Sequence, residues 1–168
     1  MTIQNRPDLP IGELLRQSMR HWTTGVAIAT SKFENICHGM TVNSFGSISL
    51  EPPYVTVTMV NNARTHGLVS RSGIFAVTIL SRSQQPLAEL FAGRVPDHDD
   101  RMNGLEIFTL QTGAPLLAGG AAFVDCRVIH SYEMPHSTLF VGEVVAAQAA
   151  PQPEPPLVYF NRNFTSRG

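Results

Sequence analysis

The sequence predicts a mainly β fold, an antiparallel barrel carrying a few short helices. Three observations lead there. Runs of alternating apolar residues outnumber runs with helical spacing, the strands are separated mostly by short turns, and no GxGxxG follows any strand. The first two argue against helices alternating with a parallel sheet, and the third argues against a Rossmann dinucleotide site. The 168 residues suffice for one buried core, so 1–168 reads as a single domain, with residues 1–9 as a flexible tail.

Along the chain, Ile11, Leu14, Leu15, Met19 and Trp22 recur at three- and four-residue spacing within residues 10–22, which predicts an amphipathic helix with one buried face. After Gly25, the run VAIAT (26–30) is apolar throughout and suits a strand covered on both sides. Residues 54–60 alternate, with Val55, Val57 and Met59 on one side and Thr56 and Thr58 on the other; Phe75, Val77 and Ile79 repeat the pattern. Val124, Cys126, Val128 and Tyr132 form a further alternating run, and 139–147 is a second long apolar one. Between them, residues 133–137 with Pro135 read as a hairpin loop.

Two short helices interrupt the strands. Residues 63–72 follow the N-cap candidates Asn61 and Asn62 and end at Gly73, which suits a left-handed cap. The second follows Ser83, has Pro86 in its first turn, lines one face with Leu87, Leu90 and Phe91, and ends at Gly93. The proline-rich run 151–156 is a stiff loop before a last apolar strand, 157–160.

Composition narrows the function. Charged residues are 15% and hydrophobic residues 43% of the chain, against about a quarter charged in a typical domain, so a sizeable face is expected to be covered by a second subunit. A net charge of -1 with scattered Lys and Arg offers no phosphate-tracking stripe, which argues against nucleic acid. Cys37 and Cys126 lack metal or disulfide spacing and read as free thiols. The N-terminus lacks the order of a signal peptide and no apolar run is long enough to span a bilayer, so the expectation is a cytoplasmic protein without a membrane partner.

Thr41, Asn43, Ser44, Ser47 and Ser49 put a dense set of hydrogen-bonding side chains between two strands, with Gly39 and Gly46 permitting close backbone approach and Pro52 and Pro53 extending the exit. By composition alone this reads first as a polar loop and second as the lining of a planar ligand. NNARTH, 61–66, opens a helix whose free N–H groups, with Arg64 and Thr65, could seat a phosphate. Simple capping by Asn61 or Asn62 with a solvated Arg64 explains the same residues. His136 sits in the hairpin loop. His21, His38, His66, His98 and His130 show no metal-ligand spacing, and Asp97, Asp99 and Asp100 read as a solvated acidic loop, so no metal is assigned. No GxSxG or similar signature marks a nucleophile.

In order, MRHWTTGVAIAT (19–30), GMTVNSFGSISLEPP (39–53), NNARTH, GIFAVTIL (73–80), LAELFAG (87–93), GAPLL (113–117), HSTLFVGEV (136–144) and LVYFNRNF (157–164) resemble the short-chain flavin reductase family. Its members are the reductase components of two-component flavin monooxygenases and share an FMN-binding split barrel of Greek-key type. The resemblance implies NAD(P)H-dependent reduction of free FMN or FAD, with NADH or NADPH as co-substrate, a homodimer, and a separate monooxygenase that receives reduced flavin.

It also implies site roles. Thr41, Val42, Asn43, Ser44, Ser47, Ile48 and Ser49 would line the flavin ring and ribityl chain. Asn61, Arg64 and Thr65 would hold its phosphate, and Phe91, Ala92 and Gly93 would close over it. His136 and Tyr159 would border the nicotinamide. No catalytic acid, base or nucleophile is implied, because the transfer is between bound cofactors.

Three positions depart from the family pattern: Met134 and Pro135 stand where Gly-Asp is frequent, Gly46 replaces a common Thr, and Met102 a usual aromatic. The altered hairpin keeps open a non-catalytic flavin-storage protein, and a split-barrel oxidase acting on a pyridoxal-type substrate is a third reading.

Overall fold

The computed structural model describes residues 9–93, 101–152 and 154–165. Along them the chain forms α1 (Ile11–Met19), β1 (Thr24–Gly25), β2 (Ala27–Phe33), β3 (Ile36–Val42), β4 (Gly46–Leu50), β5 (Pro53–Val60), α2 (Arg64–Ser72) and β6 (Ile74–Ile79). A 3₁₀ turn (Arg82–Gln84) leads into α3 (Gln85–Phe91), followed by β7 (Ile107–Thr109), β8 (Pro115–Leu117), β9 (Ala122–Glu133), β10 (Ser137–Ala149), β11 (Val158–Phe160) and β12 (Asn163–Thr165).

Seven strands form one sheet in the order β3-β2-β6-β9-β10-β5-β4, antiparallel at every step. The two edge strands, β3 and β4, are consecutive in sequence and separated only by residues 43–45. A flat sheet would hold its edges far apart, so the sheet has to curl until its edges meet at that turn. This is the expected antiparallel split barrel. Its interior holds Ala27, Ala29, Val57, Met59, Val69, Phe75, Cys126 and Phe140. Ile28, on the opposite face of β2, and Val26, just before the strand, join a second cluster beneath α3 with Ala88, Phe91 and Leu157. That two-sided cover is why 26–29 is apolar and why the buried Thr30 hydroxyl is engaged by the Ala76 and Pro115 carbonyls.

Gly142 on β10 makes the interior possible. A Cβ there would stand 2.6 Å from the Phe75 ring, so only glycine lets that ring cross the barrel. The helices end as their sequences indicate, α2 at Gly73 with φ 69 and the turn after α3 at Gly93 with φ 69. Hairpin β9–β10 pairs Glu133 with Thr138 around residues 134–136.

Some expectations are corrected. The apolar face of α1 is not buried within the chain, since none of its residues is buried and Ile11 and Leu15 are 82% and 60% exposed. The helix precedes the barrel and lies outside it, so its periodicity encodes a face without an intrachain partner. The segment from Gly39 to Ser49, read first as a polar loop, falls mostly on the edge strands β3 and β4. Gly39 leaves room for the Phe91 ring, from which a Cβ would lie 3.0 Å, rather than for a ligand. The acidic run 97–100 and most of the expected N-terminal tail, residues 1–8, lie outside the described residues.

Candidate functional site

Three cavities follow one another along the mouth of the barrel and share lining residues. The first, of about 310 Å³, is bounded by His38 and Met40 of β3, by Ala63, Arg64 and Thr65 at the start of α2, by Phe91, Ala92 and Gly93, and by Arg101. Ala92 also lines a second cavity of about 170 Å³ with Val26, Thr41, Val42, Asn43, Tyr159 and Phe164. Asn43 and Tyr159 also line a third, of about 760 Å³. The chain of shared residues makes one elongated cleft.

The first cavity gathers groups that can hold an anion. The N-cap of α2 is Ala63, extended at φ -72 and ψ 138, and no side chain caps the helix. Neither Asn61 nor Asn62 therefore consumes the orphan N–H groups of the first turn, which carry the positive end of the helix dipole. Arg64 begins the helix beside them. Arg101 brings a second guanidinium, held by its own bond to the Phe91 carbonyl at the end of α3, 3.2 Å long. Thr65 is fully buried, its hydroxyl 2.8 Å from Nδ1 of His38.

The second cavity suits the edge of a planar group. Thr41 donates its hydroxyl to the Ala88 carbonyl at 2.7 Å, pinning β3 to α3. Val42 is buried in the barrel interior. Asn43 is exposed at the turn joining the two edge strands. Tyr159 packs against Phe164 with ring centroids 5.5 Å apart, forming an aromatic wall opposite.

The expected site residues thus divide. Thr41, Val42, Asn43, Arg64, Thr65, Phe91, Ala92, Gly93 and Tyr159 line the first two cavities. Ser44 lines the third, although its hydroxyl braces the barrel seam, donating to the Thr58 carbonyl at 2.8 Å and accepting from the Thr58 N–H at 3.1 Å. Ser47, Ile48 and Ser49 lie beyond the turn on β4 and line none of the three cavities. A bulge interrupts the pairing between Ser47 and Ser49, and the Ser49 hydroxyl is spent on the Pro52 carbonyl at 2.6 Å.

Asn61 does not face the anion cavity either. Its amide donates to the Met134 carbonyl at 2.9 Å and accepts from the Thr138 hydroxyl at 2.9 Å, so both polar atoms tie the β5–α2 turn to the β9–β10 hairpin. The Asn61 N–H adds a bond to the His136 carbonyl at 3.1 Å. His136 is exposed at that hairpin tip and lines none of the cavities that contain Tyr159. Within one chain the structure does not bring the two expected nicotinamide neighbours together.

Met102, which stands where the family usually has an aromatic, is buried at 8% in the cluster that holds Phe91 and Ala88. Gly46 has open space, its nearest neighbour to an added Cβ being the Thr56 hydroxyl at 3.6 Å. His38 and Arg101 escaped sequence reasoning: one has no motif spacing, and the other becomes relevant only because it caps α3.

Comparison with known proteins gives a consistent answer. Residues 19–168 match the flavin reductase like domain family. The chain is 37% identical over 150 residues to the NADH-dependent flavin reductase StyB of Pseudomonas fluorescens, covering 88% of this chain and 85% of that protein. Among solved structures, the styrene monooxygenase flavin reductase of Pseudomonas putida superposes with a TM-score of 0.80 at 34% identity, covering 92% of this chain and 97% of that one. The NADH:FAD oxidoreductase of Streptomyces globisporus superposes with a TM-score of 0.85 at 30% identity, covering 100% of this chain and 92% of that one.

Proposed function

The chain belongs to the flavin reductase like domain family, and from that membership we propose that it is an NAD(P)H:flavin oxidoreductase supplying reduced FMN or FAD to a separate monooxygenase. The observation that carries this reading is the continuity of the anion cavity at α2 with the aromatic-walled cavity at Asn43 and Tyr159, joined through Ala92. A flavin phosphate and its ring need those two environments at adjoining positions. When both cofactors are bound, hydride passes from nicotinamide C4 to flavin N5.

The protein's task is then to bind, orient and exclude water. The first-turn N–H groups of α2 with Arg64, Arg101 and Thr65 hold the phosphate. Thr41, Val42 and Asn43 set the position of the ring edge, Asn43 with an amide directed from an exposed turn. Phe91, Ala92 and Gly93 close the cleft between the two parts. Tyr159 borders the nicotinamide from the aromatic wall, and His136 does so from the hairpin tip of a second copy. Orientation alone accounts for a large rate gain in such a transfer, so no acid or base of this chain has to titrate.

The assembly in this reading is a homodimer, and the whole chain acts as one reductase domain. Ile48 and Leu50 on the edge strand β4, with Val60, Tyr132 and Met134 around the β9–β10 hairpin, are exposed apolar side chains that a second subunit would cover. The location is the cytoplasm, the compartment that supplies reduced pyridine nucleotides and keeps thiols such as Cys37 and Cys126 reduced.

The decisive experiment measures oxidation of NADH and of NADPH, each with FMN, FAD and riboflavin, in the wild type and in His136→Ala. Turnover with at least one pair, and a larger loss in nicotinamide use than in flavin binding on substitution, is expected. Firm flavin binding with no nicotinamide oxidation would replace the reductase by a flavin carrier.

A further inference from the structure

A chain of hydrogen bonds runs from the first turn of α2 to the tip of the β9–β10 hairpin, and its direction is fixed throughout. The Asn61 side-chain NH₂ donates to the Met134 carbonyl at 2.9 Å. A carbonyl only accepts, so the amide nitrogen has to face Met134 and the amide oxygen has to face Thr138. The Thr138 hydroxyl donates to that oxygen at 2.9 Å. Its single hydrogen is thereby spent, and only its lone pairs remain for Nε2 of His66, 2.9 Å away. Nε2 of His66 therefore carries a proton and is the donor at the head of the chain.

The two ends of this chain differ in how firmly they are seated. The His66 ring leans on the Phe140 ring, with centroids 5.4 Å apart, and Phe140 belongs to the barrel interior. Thr138 is 2% exposed, so bulk water does not replace a partner that its hydroxyl loses. The hairpin tip at the other end is exposed. Asn61 holds it twice, by its side chain on Met134 and by its N–H on the His136 carbonyl at 3.1 Å.

His66 directly follows Arg64 and Thr65, which line the anion cavity, but it is not among the residues that line it. Its bond goes instead to β10 and onward to the hairpin that carries His136. The segment that seats an anion is thus also the segment that braces the hairpin.

We propose that His66 is a positioning residue for hydride transfer: through Thr138 and Asn61 it holds the hairpin tip so that His136 is presented to the nicotinamide. The inference rests on the reductase reading, which supplies the nicotinamide. His66 itself touches neither cofactor. Its loss leaves the tip in several arrangements, of which one receives the nicotinamide, so the effect falls on nicotinamide affinity and spares the flavin.

The test pairs His66→Leu, which removes the donor, with His66→Gln, which keeps a side-chain N–H, and Thr138→Val with Thr138→Ser. Thr138→Val breaks the same chain while keeping the buried shape, so the outcome does not hang on one substitution. Kinetics with the nicotinamide that the wild type uses give its KM, FMN titration gives the flavin Kd, and amide hydrogen exchange by NMR follows the Asn61 N–H. The leucine and valine variants should raise the nicotinamide KM roughly fivefold, the weight of one hydrogen bond, with the FMN Kd unchanged. Exchange at the Asn61 N–H should quicken by about the same factor. Glutamine and serine should restore most of both. Adding His66→Leu to His136→Ala should raise KM no further, because its effect passes through His136.

An unchanged nicotinamide KM in both disruptive variants, an equal loss for nicotinamide and flavin, or full additivity with His136→Ala overturns the inference. Unchanged Asn61 exchange in both variants also overturns it, whatever the activity. A wild type that oxidises no nicotinamide refutes the reductase reading and the role of His136 with it, while quickened exchange in the variants still establishes His66 as the brace of the hairpin.

Discussion

The Nδ1 atom of His38 and the hydroxyl of Thr65 lie 2.8 Å apart, joining strand β3 to the first turn of α2 at the floor of the anion cavity. With the proton on Nδ1, the imidazole donates to Thr65 and leaves the threonine's own hydrogen free for a phosphate oxygen. Thr65→Val keeps the buried shape but removes that hydrogen. FMN affinity is expected to fall about tenfold while riboflavin, which has no phosphate, binds as before. Titration of each flavin by fluorescence checks it, and an equal loss for both would assign Thr65 to packing alone.

Asn61 is a strut between α2 and the hairpin, so its loss should appear as instability rather than as lost flavin. In Asn61→Ala the Thr138 hydroxyl, which also receives a bond from Nε2 of His66 at 2.9 Å, and the Met134 carbonyl lose their common partner. A cost of about 1–3 kcal/mol in unfolding free energy is expected. Thermal unfolding beside an FMN titration separates this from Arg64→Ala, which should weaken FMN binding without a comparable drop in Tm.

Cys126 is enclosed by the barrel, and burial, with a smaller contribution from the neighbouring Asp125 carboxylate, pushes its thiol from 9.0 up to about 12. Native protein at pH 8 should therefore show slow reaction at Cys126, its thiol becoming accessible only on unfolding. The unfolded chain releases this proton near pH 9 and the folded chain keeps it until about pH 12, so stability should decline with rising pH across that window. Cys126→Ala should flatten the decline in urea unfolding measured between pH 8 and 11.

Gly142→Ala places a methyl 2.6 Å from the Phe75 ring and 2.9 Å from the Cys126 Cβ. Overpacking of this kind costs about 1–3 kcal/mol. A lowered Tm is expected with KM for flavin unchanged, and Phe75→Leu in the same chain should restore part of the loss. Unchanged stability would show that the ring can move aside.

Much of the fold is legible in the chain because its cues are local. The alternation in β5, the turn residues between β9 and β10, and the glycines closing α2 and α3 each act within a few residues. Strand β3 is not legible. It is an edge strand with Gly39 beneath Phe91, and its polar side chains reach α3 and α2 rather than solvent, so it carries no apolar alternation. Strands β7, β8 and β12 span three residues each, too few for a period to declare itself, whereas β11 falls within the apolar run 157–160.

The phrases shared with the family determined by themselves which residue types the candidate site has and which family the chain belongs to. Only the tertiary structure decided how those residues are used. Asn61, Ser44 and Ser49 look like ligand contacts in sequence, but hydrogen bonding is saturable, and their polar atoms are engaged by Met134, Thr138, Thr58 and Pro52. Arg20 and Arg162 stand at opposite ends of the chain with no motif between them. They line one cavity because β1 pairs with β11, setting Thr24 against Tyr159, a contact set by long-range strand register rather than by any local pattern.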